Sequence, residues 1–424
     1  MQIRERAVQA LCDPAYADIL DLVVWVEDGD AYAANHLGRV RWTEHGRELL
    51  SGVDPIGSED PMAFLPYSEE LANPSPARST QNAYPYPRQR LLSFFSDPER
   101  SPDLAIVHTP KHDFIDQTGH TGEHGSLDVI QSRAPWVMSG RGVRREGFVA
   151  DHARLVDVGP TLAHLAGVPV EHLVDREGNP LDGLVRTEHL DDISPRRVIG
   201  ILWDGGHSGE VLAGAEEGWL PNVARLIERG LAFRGGAVAE FPSITLTNHT
   251  AILTGVGPGR HGVKGKVYYD RGEEFTVVPN DQSTWHRSAE WLHDSVKTIF
   301  EMVNDHADAP GPVRTASIDE AIDRGADYST MGLMRETGES TTDALDDFLP
   351  PVDSPYRTSD EFESDGWFTW SQRVDDLGLQ QVLDLWASVD TAPRLTWWSN
   401  IVSDAGHHEG GPRSAQGREG LIQS

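Results

Sequence analysis

The 424-residue chain is long enough for one large α/β domain with an inserted cap, or for two domains of ordinary size. Its 38% hydrophobic and 24% charged residues describe a polypeptide that builds a core, and no stretch approaches the run of about 20 apolar residues that a membrane helix needs. A formal net charge of -31, from 67 acidic against 36 basic residues, repels nucleic acid polymers and anionic membrane surfaces, leaving small phosphate compounds as partners where cations gather at a site. The single cysteine, Cys12, excludes a disulfide framework and any cysteine-based zinc cluster, so His and carboxylates are the available metal ligands. The N-terminus, Met1 to Arg6, carries charge at once and leads into no apolar signal region, which makes the cytoplasm the expected location.

In chain order, Asp21–Val26 and Ala31–Ala34 around Glu27-Asp28-Gly29-Asp30 predict a hairpin. Residues 51–98, rich in Pro, Ser, Asn and aromatics without periodicity, read as an irregular surface crossing. Leu104–Val107 and Ala134–Gly140 are short apolar runs of the kind that buried strands show, with His108, His112, His120 and His124 between them. Leu155, Val158, Leu162, Leu165 and Ala166 recur at helical spacing and stop at Gly167. The polar stretch 170–195 reads as a connector.

Val198–Trp203 is a continuous apolar run, as a central parallel strand requires, and it delivers Asp204-Gly205 to its carboxyl end. A helix through Leu220, Val223, Leu226 and Ile227, closed by Gly230, and a strand at Leu231–Phe233 complete a βαβ pattern, so the fold class is α/β with a mostly parallel central sheet flanked by helices. Residues 265–370 read as a cap or insertion, followed by a helix near 371–388 and a strand at Leu395–Val402 that ends in Asp404.

Ligands bind outside the carboxyl ends of strands in open α/β sheets, and two strands here end in an aspartate, Asp204 and Asp404. Alone, such an aspartate is more often a helix cap or turn residue than a metal ligand. The segment Phe241-Pro242-Ser243-Ile244-Thr245-Leu246-Thr247-Asn248-His249 changes that balance. It places a hydroxyl at a helix start with Asn248 and His249 on the opening turn, where an anion is stabilised.

This segment, with its apolar continuation to Thr254-Gly255 and Pro258-Gly259-Arg260-His261-Gly262, resembles the nucleophile motif of the nucleotide pyrophosphatase/type I phosphodiesterase branch of the alkaline phosphatase superfamily. The resemblance implies that Thr245 is the nucleophile, that it and Asp204 contact one cation, and that Asn248 helps hold the transferred group. Asp404-Ala405-Gly406-His407-His408-Glu409-Gly410-Gly411-Pro412 is similar to the family's Asp-x-x-x-His-x-x-Gly-Pro, which makes His408, and not His407, a ligand beside Asp404. Glu123-His124-Gly125-Ser126, with the strand at 134–140 and the helix opening Asp157-Val158-Gly159-Pro160-Thr161-Leu162, is similar to the family's last motif and makes His124 the third ligand of that cation. His108, His112 and His120 have no implied role and read as surface or core histidines.

The motifs stand in circularly permuted order. On the resemblance, residues 1–190 hold the C-terminal portion of an alkaline phosphatase-like domain and residues 196–424 its N-terminal and middle portions, with the cap at about 265–370. The family's Asp-His-Gly motif, which supplies two ligands to the cation beside the nucleophile, does not occur in the chain. The implied function is hydrolysis of phosphodiester or pyrophosphate bonds, nucleotides among the substrates, through a phosphothreonine intermediate with two divalent cations, zinc by family habit or manganese, the second site incomplete. The alternatives are a phosphomonoesterase or phosphonate hydrolase of the same superfamily, or a truncated, catalytically silent binding protein. A sulfatase is disfavoured because Leu11-Cys12-Asp13-Pro14 lacks the Cys-x-Pro-x-Arg pattern.

Overall fold

The computed structural model describes residues 3–72, 82–109, 120–191, 197–280, 284–306, 313–337 and 359–424; His112 lies outside them. Around the expected acidic turn, β1 (Leu20–Glu27) and β2 (Asp30–Ala34) pair antiparallel with Glu27 opposite Asp30. Asp28 and Gly29 take φ of 52° and 84°, the geometry that lets a two-residue turn match the twist of hairpin strands. β3 (Gly38–Thr43), β4 (Gly46–Gly52) and β5 (Ala105–His108) extend the hairpin to a five-stranded sheet of order β4-β3-β2-β1-β5.

Residues 51–98 are not merely a surface crossing. They contain helix α1 (Pro87–Phe95), whose Arg90 is fully buried. Its guanidinium donates to the carbonyl oxygens of Leu127 at 2.7 Å and Pro85 at 3.2 Å and to the Ser132 hydroxyl at 2.7 Å. A polar anchor of this kind leaves no apolar period in the sequence, which is why the helix was not expected.

Short strands β6 (Arg133–Ala134), β7 (Val137–Ser139), β8 (Gly147–Val149) and β9 (Ala153–Arg154) find partners far along the chain. β7 and β8 flank β11 (Gly230–Phe233), and β6 and β9 flank β12 (Ala237–Val238). Helix α2 (Val158–Ala166) ends at Gly167 with φ 116°, as its periodicity predicts. Its Gly159 lies against α5 (Thr245–Thr254), where an added Cβ would sit 1.9 Å from the Ile252 carbonyl oxygen, so the two helices cross backbone to backbone. β13 (Tyr268–Asp270) and β14 (Phe275–Val277) form a small hairpin.

The central sheet is all parallel, as expected, in the order β10-β17-β15-β16: β10 (Val198–Trp203), β15 (Thr315–Ile318), β16 (Tyr328–Ser329) and β17 (Leu395–Asn400). Its membership differs from the sequence reading in two ways. Helices α3 (Ser208–Glu217) and α4 (Pro221–Arg229) lie between β10 and β11, but β11 joins β7 and β8, because β10 takes its neighbour from the far end of the chain. β15 and β16 come from within 265–370, the stretch expected to be a cap; these strands are too short to show a period of their own. Helix α6 (Ile299–His306) packs in the main core with α2, and the C-terminal helices are α7 (Ser359–Leu385, kinked at Gly366), α8 (Val402–Gly410) and α9 (Ala415–Gln423). No described helix is long and apolar enough to cross a membrane.

Candidate active site

Two adjacent parallel strands position the carboxylates. β10 and β17 pair with Trp203 opposite Asn400, and the Asp204 N–H donates to the Asn400 carbonyl at 2.9 Å, so Asp204 and the start of α8, which carries Asp404, emerge side by side. Gly205, at φ 70°, makes this approach possible: a Cβ there would lie 2.8 Å from both Cα and Oδ1 of Asp404. The Ser403 hydroxyl donates to the Asp204 carbonyl at 2.6 Å and locks the two ends together.

On α8, one turn separates Asp404 from His408, whose Nε2 lies 3.3 Å from Asp404 Oδ1. His124 approaches the same oxygen with its Nε2 at 3.8 Å. Each ring makes a second contact that fixes its orientation. His408 Nδ1 lies 2.7 Å from the Gly122 carbonyl and His124 Nδ1 lies 2.7 Å from the Ser243 carbonyl, so each Nδ1–H donates to a carbonyl and each Nε2 is aimed at Asp404. Ligand atoms of His124, Asp404 and His408 all lie within 4.8 Å of one another. Two Nε2 atoms and a carboxylate oxygen, with an open side toward a cleft, suit one divalent cation with a free coordination position.

His407 turns away, with Nδ1 2.6 Å from the Ser403 carbonyl and Nε2 3.2 Å from Glu210. His120 is neither on the surface nor in the apolar core. Its Nδ1 lies 2.6 Å from Glu123, its ring centroid is 4.3 Å from that of His408, and Trp367 stacks over both rings. His108 stands apart, at the end of β5.

Thr245 opens α5 at its first helical position, with no side-chain cap, and its hydroxyl donates to Asp204 Oδ1 at 3.3 Å. The first-turn N–H groups therefore face the same place as the hydroxyl. Asn248 does something other than hold a transferred group. Its amide donates to the carbonyls of Pro242 and Ile244, each at 3.0 Å, while its oxygen accepts from the Glu240 N–H at 2.7 Å. The opposite amide orientation would set oxygen against oxygen, so the side chain is committed to bracing the loop before Thr245.

His249, the next residue, reaches Asp204 from behind, with Nε2 3.7 Å from Oδ1. Its other nitrogen lies 3.1 Å from Glu320, a fully enclosed carboxylate just beyond β15 that also accepts from Trp397 Nε1 at 3.0 Å and Ser399 Oγ at 2.7 Å. Burial opposes charge on His249, but Glu320 and then Asp204 outweigh it and hold the ring protonated, well above the usual imidazole range. The sequence reading missed Glu320, although the criterion that found Asp204 and Asp404, an acid at a strand's carboxyl end, applies equally to it.

Residues 198–423 match the family described as type I phosphodiesterase / nucleotide pyrophosphatase. The chain belongs to this family, and so to the alkaline phosphatase superfamily. His124, Gly122 and the strands β6 to β9 lie outside the matched residues. Among solved structures, a phosphonoacetate hydrolase from Sinorhizobium meliloti 1021, crystallised with phosphonoacetate, is similar at 20% identity over 54% of this chain and 52% of its own, with a TM-score of 0.33. The chain thus spans about half the length of that protein. The family is one of phosphoester hydrolases, in a superfamily whose members typically depend on divalent metals.

Burial alone would lower the His408 pKa and raise that of Asp404; their mutual attraction wins in both, lifting His408 to about 9 and holding Asp404 at about 2. In the metal-free chain this pair therefore contributes full stability from above the ordinary carboxylate range to below the ordinary imidazole range. The contribution is lost as pH rises through about 9 or falls through about 2. A cation must displace the His408 proton, so calorimetric titration with Zn²⁺ should show affinity rising about tenfold per pH unit from neutrality and levelling off above pH about 9. An affinity independent of pH over that span would show that His408 is not a ligand. His408→Ala should cost the chain most of its tightly held cation by elemental analysis, and His407→Ala should leave it in place; the reverse pattern would contradict the geometry.

Proposed function

We propose that the chain hydrolyses phosphodiester or pyrophosphate bonds, those of nucleotides in particular, through a phosphothreonine intermediate at Thr245. One observation carries the reading: an uncapped helix start presents the Thr245 hydroxyl to Asp204 at 3.3 Å, in the same cleft as His124, Asp404 and His408. A divalent cation held by those three would act as a Lewis acid on a phosphoryl oxygen, and a second beside Asp204 and Thr245 belongs to the same proposal. Zinc or manganese suits nitrogen and oxygen donors.

The chain's own residues do the rest. The first-turn N–H groups of α5 hold a phosphoryl oxygen, and Asn248 and the Ser243 carbonyl fix the loop on one side while His249 and Glu320 fix Asp204 on the other. Thr245 Oγ bonds to phosphorus as the P–O bond to the leaving alcohol or phosphate breaks, with its hydroxyl proton directed at Asp204 Oδ1. Water then cleaves the phosphothreonine and restores the hydroxyl. The proposed nucleotide preference rests on family membership.

The same proposal takes the motif order as a circular permutation within one domain. What supports it is the pairing of β6 to β9 with β11 and β12, together with the approach of His124 to Asp404 across the chain. A second reading is favoured by one specific feature. Among the described residues, Asp204 belongs to no cluster of three potential metal ligands, so the chain would hold a single cation and bind phosphate compounds without efficient turnover.

Parallel assays with a nitrophenyl phosphate and its diester separate these readings. Thr245→Ala should lower kcat on the preferred ester at least about 1,000-fold with an unchanged thermal midpoint. Unchanged turnover by the variant would remove Thr245 as nucleophile, and absence of turnover by the unaltered chain with saturating cation would favour the binding protein.

A further inference from the structure

Asp204 and Asp404 are surrounded in the same way. At Asp404, the ring of His408 comes from the next turn of α8 and that of His124 from elsewhere, with Nε2 atoms 3.3 and 3.8 Å from Oδ1. At Asp204, α5 presents Thr245 and, one turn later, His249, so that hydroxyl and ring share one face of the helix. Their Oγ and Nε2 atoms stand 3.3 and 3.7 Å from Asp204 Oδ1. Asp204, Thr245 and His249 all line the cleft.

These spacings decide between two uses of His249. A ring serving only as a hydrogen-bond partner of Asp204 would close to about 2.7–3.2 Å, and a hydroxyl to about 2.5–3.0 Å. Two donors each about 2.1 Å from one tetrahedral ion stand about 3.4 Å apart. The separations at Asp204 lie nearer the second value, as those at Asp404 do. The carboxylate itself is held in place, because its Oδ1 also accepts the Gly205 N–H at 3.0 Å.

The far side of the ring is built for the same purpose. His249 Nδ1 lies 3.1 Å from Glu320, whose carboxylate is in turn fixed by Trp397 Nε1 and Ser399 Oγ. A carboxylate behind an imidazole aims the opposite nitrogen and strengthens it as a donor, a support that metal-bound histidines regularly have. Among the described residues, histidines and acids alone form no cluster of three around Asp204; the Thr245 hydroxyl supplies the third donor.

We propose that Asp204, Thr245 and His249 together hold the second divalent cation, with His249 Nε2 as its nitrogen ligand. This set differs from the aspartate and histidine pair that the motif resemblance implies, and it rests on the two-cation reading of the cleft. Binding releases to solvent the proton that the ring carries in the metal-free chain. One imidazole and a hydroxyl are poorer donors than two imidazoles, so this ion binds after the one at Asp404 and more weakly. Its fourth position stays open for a phosphoryl oxygen.

The test is ¹¹³Cd²⁺ titration of the chain with ¹⁵N-labelled histidines, followed by nuclear magnetic resonance. Two cadmium signals are expected, the first coupled to two imidazole nitrogens and the second, filling after one equivalent, coupled to one. In His249→Gln the second signal should lose its nitrogen coupling and require at least tenfold more cadmium, while the first stays unchanged and reports that the variant is folded. The number of coupled rings is read in the unaltered chain and stands even where the variant does not fold. A titration that ends at one cation, a second signal with no coupled nitrogen, or a coupling that persists in folded His249→Gln would overturn the ligand set. Ester turnover by the Zn²⁺-loaded chain separates this result from the hydrolase reading. Coupling to His249 without turnover would keep the ligand set and remove the hydrolase, and turnover without that coupling would do the reverse.

Discussion

The parallel pairing of β10 with β17 is the constraint on which the site rests. Two strands distant in sequence run in register until Trp203 faces Asn400, and both chains then turn away from the sheet at the same level. Asp204 and Asp404 are neighbours for that reason alone, and Gly205 is the residue that lets their backbones come so close. A side chain at that position would push the two strand ends apart and separate everything built on them.

Around this pair the protein uses main-chain carbonyls as orienting groups. The Gly122 and Ser243 carbonyls each accept a hydrogen bond from the Nδ1–H of one histidine, which turns two Nε2 atoms toward one carboxylate oxygen. The Ser243 carbonyl belongs to the loop that delivers Thr245, so the proposed nucleophile and the proposed ligand set are positioned by the same few residues. Behind Asp204 the buried sequence Glu320, His249, Asp204 links β15, α5 and β10, and a pair of this kind, once one partner is removed, leaves an unsatisfied charge costing about 3–5 kcal/mol. A chain with net charge -31 thus gathers a compact set of donors suited to a cation, which on the proposed reading would in turn attract a phosphate.

The elements legible in the sequence were those whose signal is local. The Asp28-Gly29 turn, the apolar run at Val198–Trp203, the stop at Gly167 and the motif around Thr245 each carry their reason within a few residues. What was not legible depended on partners elsewhere. Arg90 makes a helix part of the core through three hydrogen bonds that no periodicity announces, β15 and β16 are strands because β17 pairs β15 and β15 in turn pairs β16, and β11 left the expected sheet because β10 takes the distant β17 as its neighbour. In the site, residue types were readable but duties were not: Asn248 has the chemistry of a phosphate donor, yet its hydrogen bonds are all spent on the loop. Glu320 lay in the stretch read as a cap, and His120 stood beside a recognised motif without an implied role of its own.

Three side chains from distant parts of the polypeptide, His124, Asp404 and His408, meet at one point. The most direct measurement is X-ray absorption on the chain loaded with one equivalent of Zn²⁺. It should show an ion bound by two imidazole nitrogens and carboxylate oxygen at about 2.0–2.1 Å, with one imidazole lost in either His124→Ala or His408→Ala. A shell of oxygen atoms alone, or one unchanged by both substitutions, would contradict the convergence of His124, Asp404 and His408.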